Sequence, residues 1–181
     1  MKYNKSFTRF IPFFTTVLLL ILPALSFAEK DKILCDTLKA NLDSGLVNKL
    51  RPDALPDTLK KYFPCYSEEI AEGSESKCGA GLIYENLNFS IYTDQDYFEI
   101  RKGFIGEMNY QLFGHDEEYL QSVLGEPVRV TDVQEFDGAP MQTVFFYKKS
   151  YGFLLIWFDA DHKIFKLQMY SKDIDKIELC F

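Results

Sequence analysis

The chain has 181 residues, 20 Lys and Arg against 27 Asp and Glu, a formal charge of −7 and 47% hydrophobic residues. That length and apolar content suit one domain with a real core. The acidic balance, with its lysines scattered, excludes a nucleic-acid-coating role, which needs clustered basic residues.

Residues 1–28 read as a secretory signal peptide. Lys2, Lys5 and Arg9 precede an apolar run from Ile11 to Leu25, and Ser26 and Ala28 stand where a signal peptidase reads small residues. The apolar run is shorter than the ~20 residues of a spanning helix, so the expectation is cleavage after Ala28 and no stable membrane anchor afterwards. The first cysteine, Cys35, is not placed for lipid attachment. The remainder, residues 29–181, is expected to be a single periplasmic or secreted domain. Losing the signal peptide removes three basic residues and no acidic ones. The resulting negative charge serves solubility, or attraction to a basic protein partner.

Cys35, Cys65, Cys78 and Cys180 all follow the leader, as in a compartment where disulfides form. No Cys-x-x-Cys pair is present and neither histidine is near a cysteine, so zinc is the weaker reading. Of the three possible pairings, Cys65 with Cys78 would bracket the polar loop between them. Cys35 with Cys180 would tie down the two chain ends.

In chain order, Ile33, Leu34, Leu38 and Leu42 recur at helical spacing and predict a helix over 32–42. Pro56 to Phe63 predicts a short helix with Pro in its first turn, stopped by Pro64. Glu68, Glu69, Glu72 and Glu75 then make an acidic loop. From Gly81 the period becomes two. Leu87, Phe89 and Ile91, then Phe98 and Ile100, describe a hairpin with one wet face that turns at 93–96. A further segment carries Phe104, Met108, Tyr110 and Leu112 on one side. Gly114 to Pro127 reads as a helix with its own start and stop. Asp116 is its N-cap, Glu117 and Glu118 lie at its positive end, Gly125 and Pro127 end it, and Tyr119, Leu120, Val123 and Leu124 form its apolar stripe.

Strands follow over 128–136, 143–147, 153–158 and 164–170, the first turn falling at Asp137-Gly138-Ala139-Pro140. Phe153 to Phe158 is apolar on both faces and should be a central, doubly covered strand. Lys166 and Gln168 alternate with Phe165, Leu167 and Met169, as in a less buried strand. A short helix precedes a run of strands twice, near Pro56 and near Asp116, which hints at an internal repeat. The fold class expected is α+β: an antiparallel β-sheet packed on one face by short helices and stapled by disulfides.

Leu124-Gly125-Glu126-Pro127 at the helix end, Phe145-Phe146-Tyr147 in an aromatic strand and Phe158-Asp159 at a strand end resemble, over residues 114–170, small bacterial envelope domains. These are the SmpA/OmlA-type outer-membrane-assembly lipoproteins and the β-lactamase-inhibitor proteins. In the first group Trp-x-Tyr often stands where this chain has Phe145 to Tyr147, and the lipid-attachment motif is missing here. The resemblance therefore implies an untethered, exported, disulfide-bonded binding domain, and architecture more than function.

No nucleophile elbow, phosphate-binding glycine loop, His-Glu-x-x-His helix or EF-hand loop occurs. His115 reads as a helix-entry residue and His162 as a turn residue. Asp159 and Asp161 lack the further oxygens a calcium site needs. No catalytic residue, metal or cofactor is assigned. Most of the 17 Phe and 11 Tyr should fill the core. Tyr92, Tyr97, Tyr147 and Tyr151 fall at turns or wet faces and are candidate anchors for a protein partner, with Glu68, Glu69 and Glu72 as the acidic component. The function expected is protein binding without catalysis, as an inhibitor or immunity-type protein against a secreted hydrolase or toxin. An envelope assembly or structural factor and a small hydrolase using a carboxylate or His115 are the alternatives.

Overall fold

The computed structural model describes residues 37–181, so the signal peptide and Cys35 lie outside the described residues. The strand-forming periodicity builds an eight-stranded, wholly antiparallel sheet. Its first half is a meander of β3 (Glu68–Ile70), β4 (Gly81–Tyr84), β5 (Phe89–Tyr92) and β6 (Tyr97–Arg101). A second meander comprises β8 (Arg129–Val133), β9 (Gln142–Lys149), β10 (Gly152–Phe158) and β11 (Ile164–Tyr170). β6 pairs with β11, giving the order β3-β4-β5-β6-β11-β10-β9-β8.

Each meander is preceded by a helix: α1 (Pro56–Tyr62) before the first and α2 (Glu117–Leu124) before the second. The repeat hinted at in the sequence is thus present as architecture. Two antiparallel central strands meet at its centre, where Glu99 lies directly opposite Gln168. A second, three-stranded sheet joins β2 (Leu46–Val47), β1 (Leu38–Asn41) and β7 (Gly106–Met108), with β1 and β7 parallel. The described residues belong to one compact unit.

Alternation sends the sheet's side chains to two faces, and both are covered. On one, Phe98, Ile100, Phe145, Leu154, Ile156, Phe158, Leu167 and Met169 pack under the helices and the small sheet. α2 contributes Leu120, fully buried, with Tyr119, Val123 and Leu124 beside it. The predicted stripe is therefore the packed face. Its start is fixed by Asp116 Oδ1, which accepts the Tyr119 N–H at 3.1 Å. Its end is fixed by Gly125 at φ 78°, whose N–H bonds Gln121 O at 2.9 Å. A Cβ at Gly125 would touch nothing within 4 Å, so Gly125→Ala isolates backbone strain. At ψ −163° this is a conformation essentially confined to glycine, so the variant should cost about 1–3 kcal/mol, read from the urea midpoint at unchanged slope.

The opposite face carries Val144, Phe146, Phe153, Leu155, Trp157 and Tyr170, covered by Ile174, Ile177, Leu179 and Phe181 of the segment 171–181. That segment is held by a disulfide between Cys78 and Cys180, Cα atoms 5.4 Å apart. The expected pairings of Cys65 with Cys78 and of Cys35 with Cys180 are therefore corrected. Cys78 sits just before β4 and reaches the segment crossing the sheet, instead of closing its own loop. Cys65 is also disulfide-bonded.

Three further expectations change. The described end of the predicted 32–42 helix is strand β1, because Leu38 and Ala40 alternate into the core with Lys39 and Asn41 outside. The acidic loop contains edge strand β3, paired with β4 through Glu68↔Ile83, Glu69↔Leu82 and Ile70↔Gly81. The wet faces assigned to β5, β6 and β11 are dry, since Ser90, Glu99, Lys166 and Gln168 are all buried.

Candidate protein-docking site

Among the described residues the free edges of the large sheet are β3 and β8, and β8 pairs there with β9 on one side only, from Arg129↔Phe146 to Val133↔Gln142. Its outer backbone edge therefore offers unpaired N–H and C=O groups. The sequence Val128-Arg129-Val130-Thr131-Asp132 alternates, and register places Val130 and Asp132 on the helix-bearing side with Phe145 and Thr143. Arg129 faces the other way. Its guanidinium lies over the Phe146 ring at 5.1 Å and its Nε donates to Thr131 Oγ1 at 3.1 Å.

Large hydrophobic side chains are left exposed at this rim: Val128 (60%), Val130 (51%), Phe136 (65%) and Met141 (54%). The last two sit in the turn between β8 and β9. That turn is stapled by Gln134 Nε2 donating to Ala139 O at 2.6 Å and by the Ala139 N–H to Phe136 O at 2.9 Å. The turn thus holds its two apolar side chains outward on a tied backbone, so little ordering remains to be done on binding.

Beside them is a hollow of about 340 Å³ lined by Asp132, Pro140, Met141, Thr143, Asp159, Ala160 and His162. Asp132 Oδ1 accepts the Thr143 hydroxyl at 2.8 Å. Asp159 Oδ1 accepts the backbone N–H groups of Asp161 and Lys163 at 3.0 and 2.9 Å, which is a turn-closing role. Two carboxylates and apolar walls suit the alkyl stem and charged head of a Lys or Arg side chain.

The candidates read from the sequence fall elsewhere. Tyr92, Tyr97, Tyr147 and Tyr151 are all buried, so their assignment as surface anchors is corrected. Tyr92, Tyr97 and Tyr170 form a continuous ring stack with centroids 4.7 and 4.4 Å apart. Tyr151 donates to Leu42 O at 3.1 Å. Burial pushes the Tyr147 hydroxyl up to about 12, and Tyr97, Tyr151 and Tyr170 further above the ordinary phenol range. Turn positions in the sequence were no guide, because the segment 171–181 and the small sheet lie over them.

Glu68, Glu69 and Glu72 are exposed, but at the β3 rim, where Glu69 pairs with Lys60 at 2.6 Å. Seven strand spacings separate that rim from β8, roughly 30 Å, so the tyrosines, the acidic cluster and the β8 rim do not meet. His115 is stacked on Tyr119 at 3.8 Å and its carbonyl accepts the Ile164 N–H, fitting a helix-entry residue. His162 lies 3.1 Å from Glu117 in the turn before β11.

Val128, Val130, Phe136 and Met141 were missed because alternation alone cannot say which strand is outermost. The only sequence signal was two apolar residues flanking Asp137-Gly138-Ala139-Pro140. Among the described residues no helix is long and apolar enough to cross a membrane. The disulfides mark a non-cytoplasmic protein. No family model, characterised protein or solved structure matches the chain.

Proposed function

We propose that the chain is an exported, non-catalytic protein-binding module of the inhibitor or immunity type. On this reading it blocks a secreted hydrolase or toxin that docks along the β8 rim. The observation that carries this reading is the exposure of Val128 and Val130 along an open strand edge and of Phe136 and Met141 in the turn that follows it. Contiguous exposed apolar groups mark interaction surfaces, and a free edge can accept a partner strand by backbone pairing. The acidic chain and the carboxylates of the adjacent hollow favour a partner with basic residues around its contact.

The test is capture from envelope and culture extracts by the wild-type chain and by Phe136→Ser/Met141→Ser. A central apolar anchor contributes about 2 kcal/mol, so the double variant should bind its partner at least a hundredfold more weakly at unchanged melting temperature. The captured partner should lose enzymatic activity when titrated with wild type. Equal binding by both proteins would move the contact off this rim. A partner bound but not inhibited, with a leaky envelope in a deletion strain, would favour the assembly-factor reading.

A further inference from the structure

Lys166 is a buried lysine that forms no ion pair among the described residues. It is 5% exposed and stands directly across the β6–β11 pairing from Arg101. Its Nζ meets the Cys180 carbonyl at 3.3 Å and the face of Trp157 at 3.7 Å from the ring centroid. Neither contact supplies a negative charge. The buried carboxylate in the neighbourhood, Glu99, is committed: Oε1 holds Arg101 at 2.6 Å and Oε2 accepts from Gln168 Nε2 at 2.9 Å. Gln168 in turn accepts the Trp157 indole N–H at 2.8 Å. No ion pair reaches Lys166 among the described residues.

Like charges facing each other across a strand pair repel, and an ammonium removed from water needs a partner or loses its proton. Burial, with repulsion from Arg101 and only partial help from Glu99 and Glu135, pushes the Lys166 amine down to about 8. Both cations line a cavity of about 220 Å³, with Glu135, Gln142, Phe165 and Phe181 as the other walls. The cavity therefore has two positive groups against the single wall carboxylate of Glu135, an amide able to donate, and aromatic surface. None of the ion pairs among the described residues joins Glu135 to either cation.

We propose that this cavity binds a small monocarboxylate with an aromatic or aliphatic body. The carboxylate bridges Lys166 and Arg101, and the body lies against Phe165 and Phe181. The guanidinium of Arg101 keeps its outer donors for the ligand because Glu99 engages it from Nε and Nη2. The site is independent of the β8 rim, though Glu135 and Gln142 adjoin Phe136 and Met141 in sequence.

Benzoate and its neutral isostere benzamide are suitable probes, followed by calorimetry and by the NMR signal of the Lys166 side chain on the full disulfide-bonded chain. Benzoate should bind saturably, with the Lys166 signal moving toward the protonated form. Benzamide, and benzoate with Lys166→Met, should bind at least tenfold more weakly. Glu99 and Arg101 on β6, Glu135 in the β8–β9 turn and the Trp157 ring on β10 face the amine. A ligand that requires charged Lys166 should lose more than tenfold in affinity between pH 7 and 9.5. This last arm uses wild type alone and needs no variant to fold. Benzoate and benzamide binding alike, a flat pH profile, or no benzoate binding at 10 mM would each overturn the proposal.

Discussion

Cys78→Ala/Cys180→Ala should melt far below the wild type. The bridge spans a sequence separation of 102 residues, for which the chain-entropy model gives about 4–5 kcal/mol. In a domain of this size that is a fall of roughly 10–20 °C. The loss is larger than loop closure alone if the segment 171–181 also leaves the sheet. Ile174, Ile177, Leu179 and Phe181 cover Val144, Phe146, Leu155 and Trp157, and a segment without strand pairing holds its place mainly by such contacts. The chain has one Trp, in edge-to-face contact with Phe181 at 5.6 Å. Its fluorescence therefore reports on the segment directly. Thermal melts by circular dichroism, with emission recorded before melting, separate the two effects. A red-shifted native emission means the segment has lifted; an unshifted one with a lower melting temperature means only the unfolded state was relaxed. A melting temperature within about 3 °C of wild type would contradict the entropic estimate.

How far the sequence could be read follows from which signals are local. The α2 helix was legible to the residue, because Asp116, Gly125 and the stripe through Leu120 act within a few positions of one another. The strands β9 to β11 were legible for the same reason: their alternation is intrinsic to each segment. The central position of β10 followed from an apolar pattern on both faces. What failed was everything decided by a distant segment. Glu99, Lys166 and Gln168 alternate with apolar residues and read as a solvated face. They are buried because the segment 171–181 crosses them and because each finds a polar or aromatic contact. Tyr92 and Tyr97 read as turn residues, yet Tyr92 stacks on Tyr97 and Tyr97 on Tyr170, from a strand more than 70 positions away. The cysteine pairing failed on the same ground, since proximity in sequence favoured Cys65 with Cys78 while the covering segment brought Cys180 to Cys78.

The same dependence on a covering segment explains why the two faces differ in character. The face under α1, α2 and the small sheet is almost wholly apolar, and α2 brings its own capped ends. The face under the segment 171–181 mixes Trp157 and Tyr170 with Glu99, Gln168 and Lys166. A half-satisfied polar cluster is costly in a low-dielectric interior, so its persistence beside an open cavity is the feature that separates this face from ordinary core. The cost is measurable at Lys166.

Lys166→Met should stabilise the protein at pH 7 by up to about 3 kcal/mol, the free energy of lowering a lysine from 10.5 to about 8. The unfolded chain holds the proton more tightly than the folded one. Wild-type stability is therefore lowest below pH 8, and it recovers as pH rises from about 8 toward 10.5. The variant lacks that rise, so the difference between the two proteins should shrink steadily and be mostly gone by pH 10. Buried Tyr84, Tyr97, Tyr151 and Tyr170 work in the opposite sense. Their raised values leave stability intact below about 10 and remove it above, as the unfolded chain's phenols ionise. They are common to both proteins and cancel in the difference, which makes pH 7 to 9.5 the informative window. Urea titrations at half-unit intervals measure it. A constant gap between wild type and Lys166→Met would show that the amine stays charged throughout, held by the Trp157 face and the Cys180 carbonyl. A gap that closes with pH shows a cation kept in the sheet at a cost, and saturating benzoate should then raise the melting temperature of wild type but not of Lys166→Met.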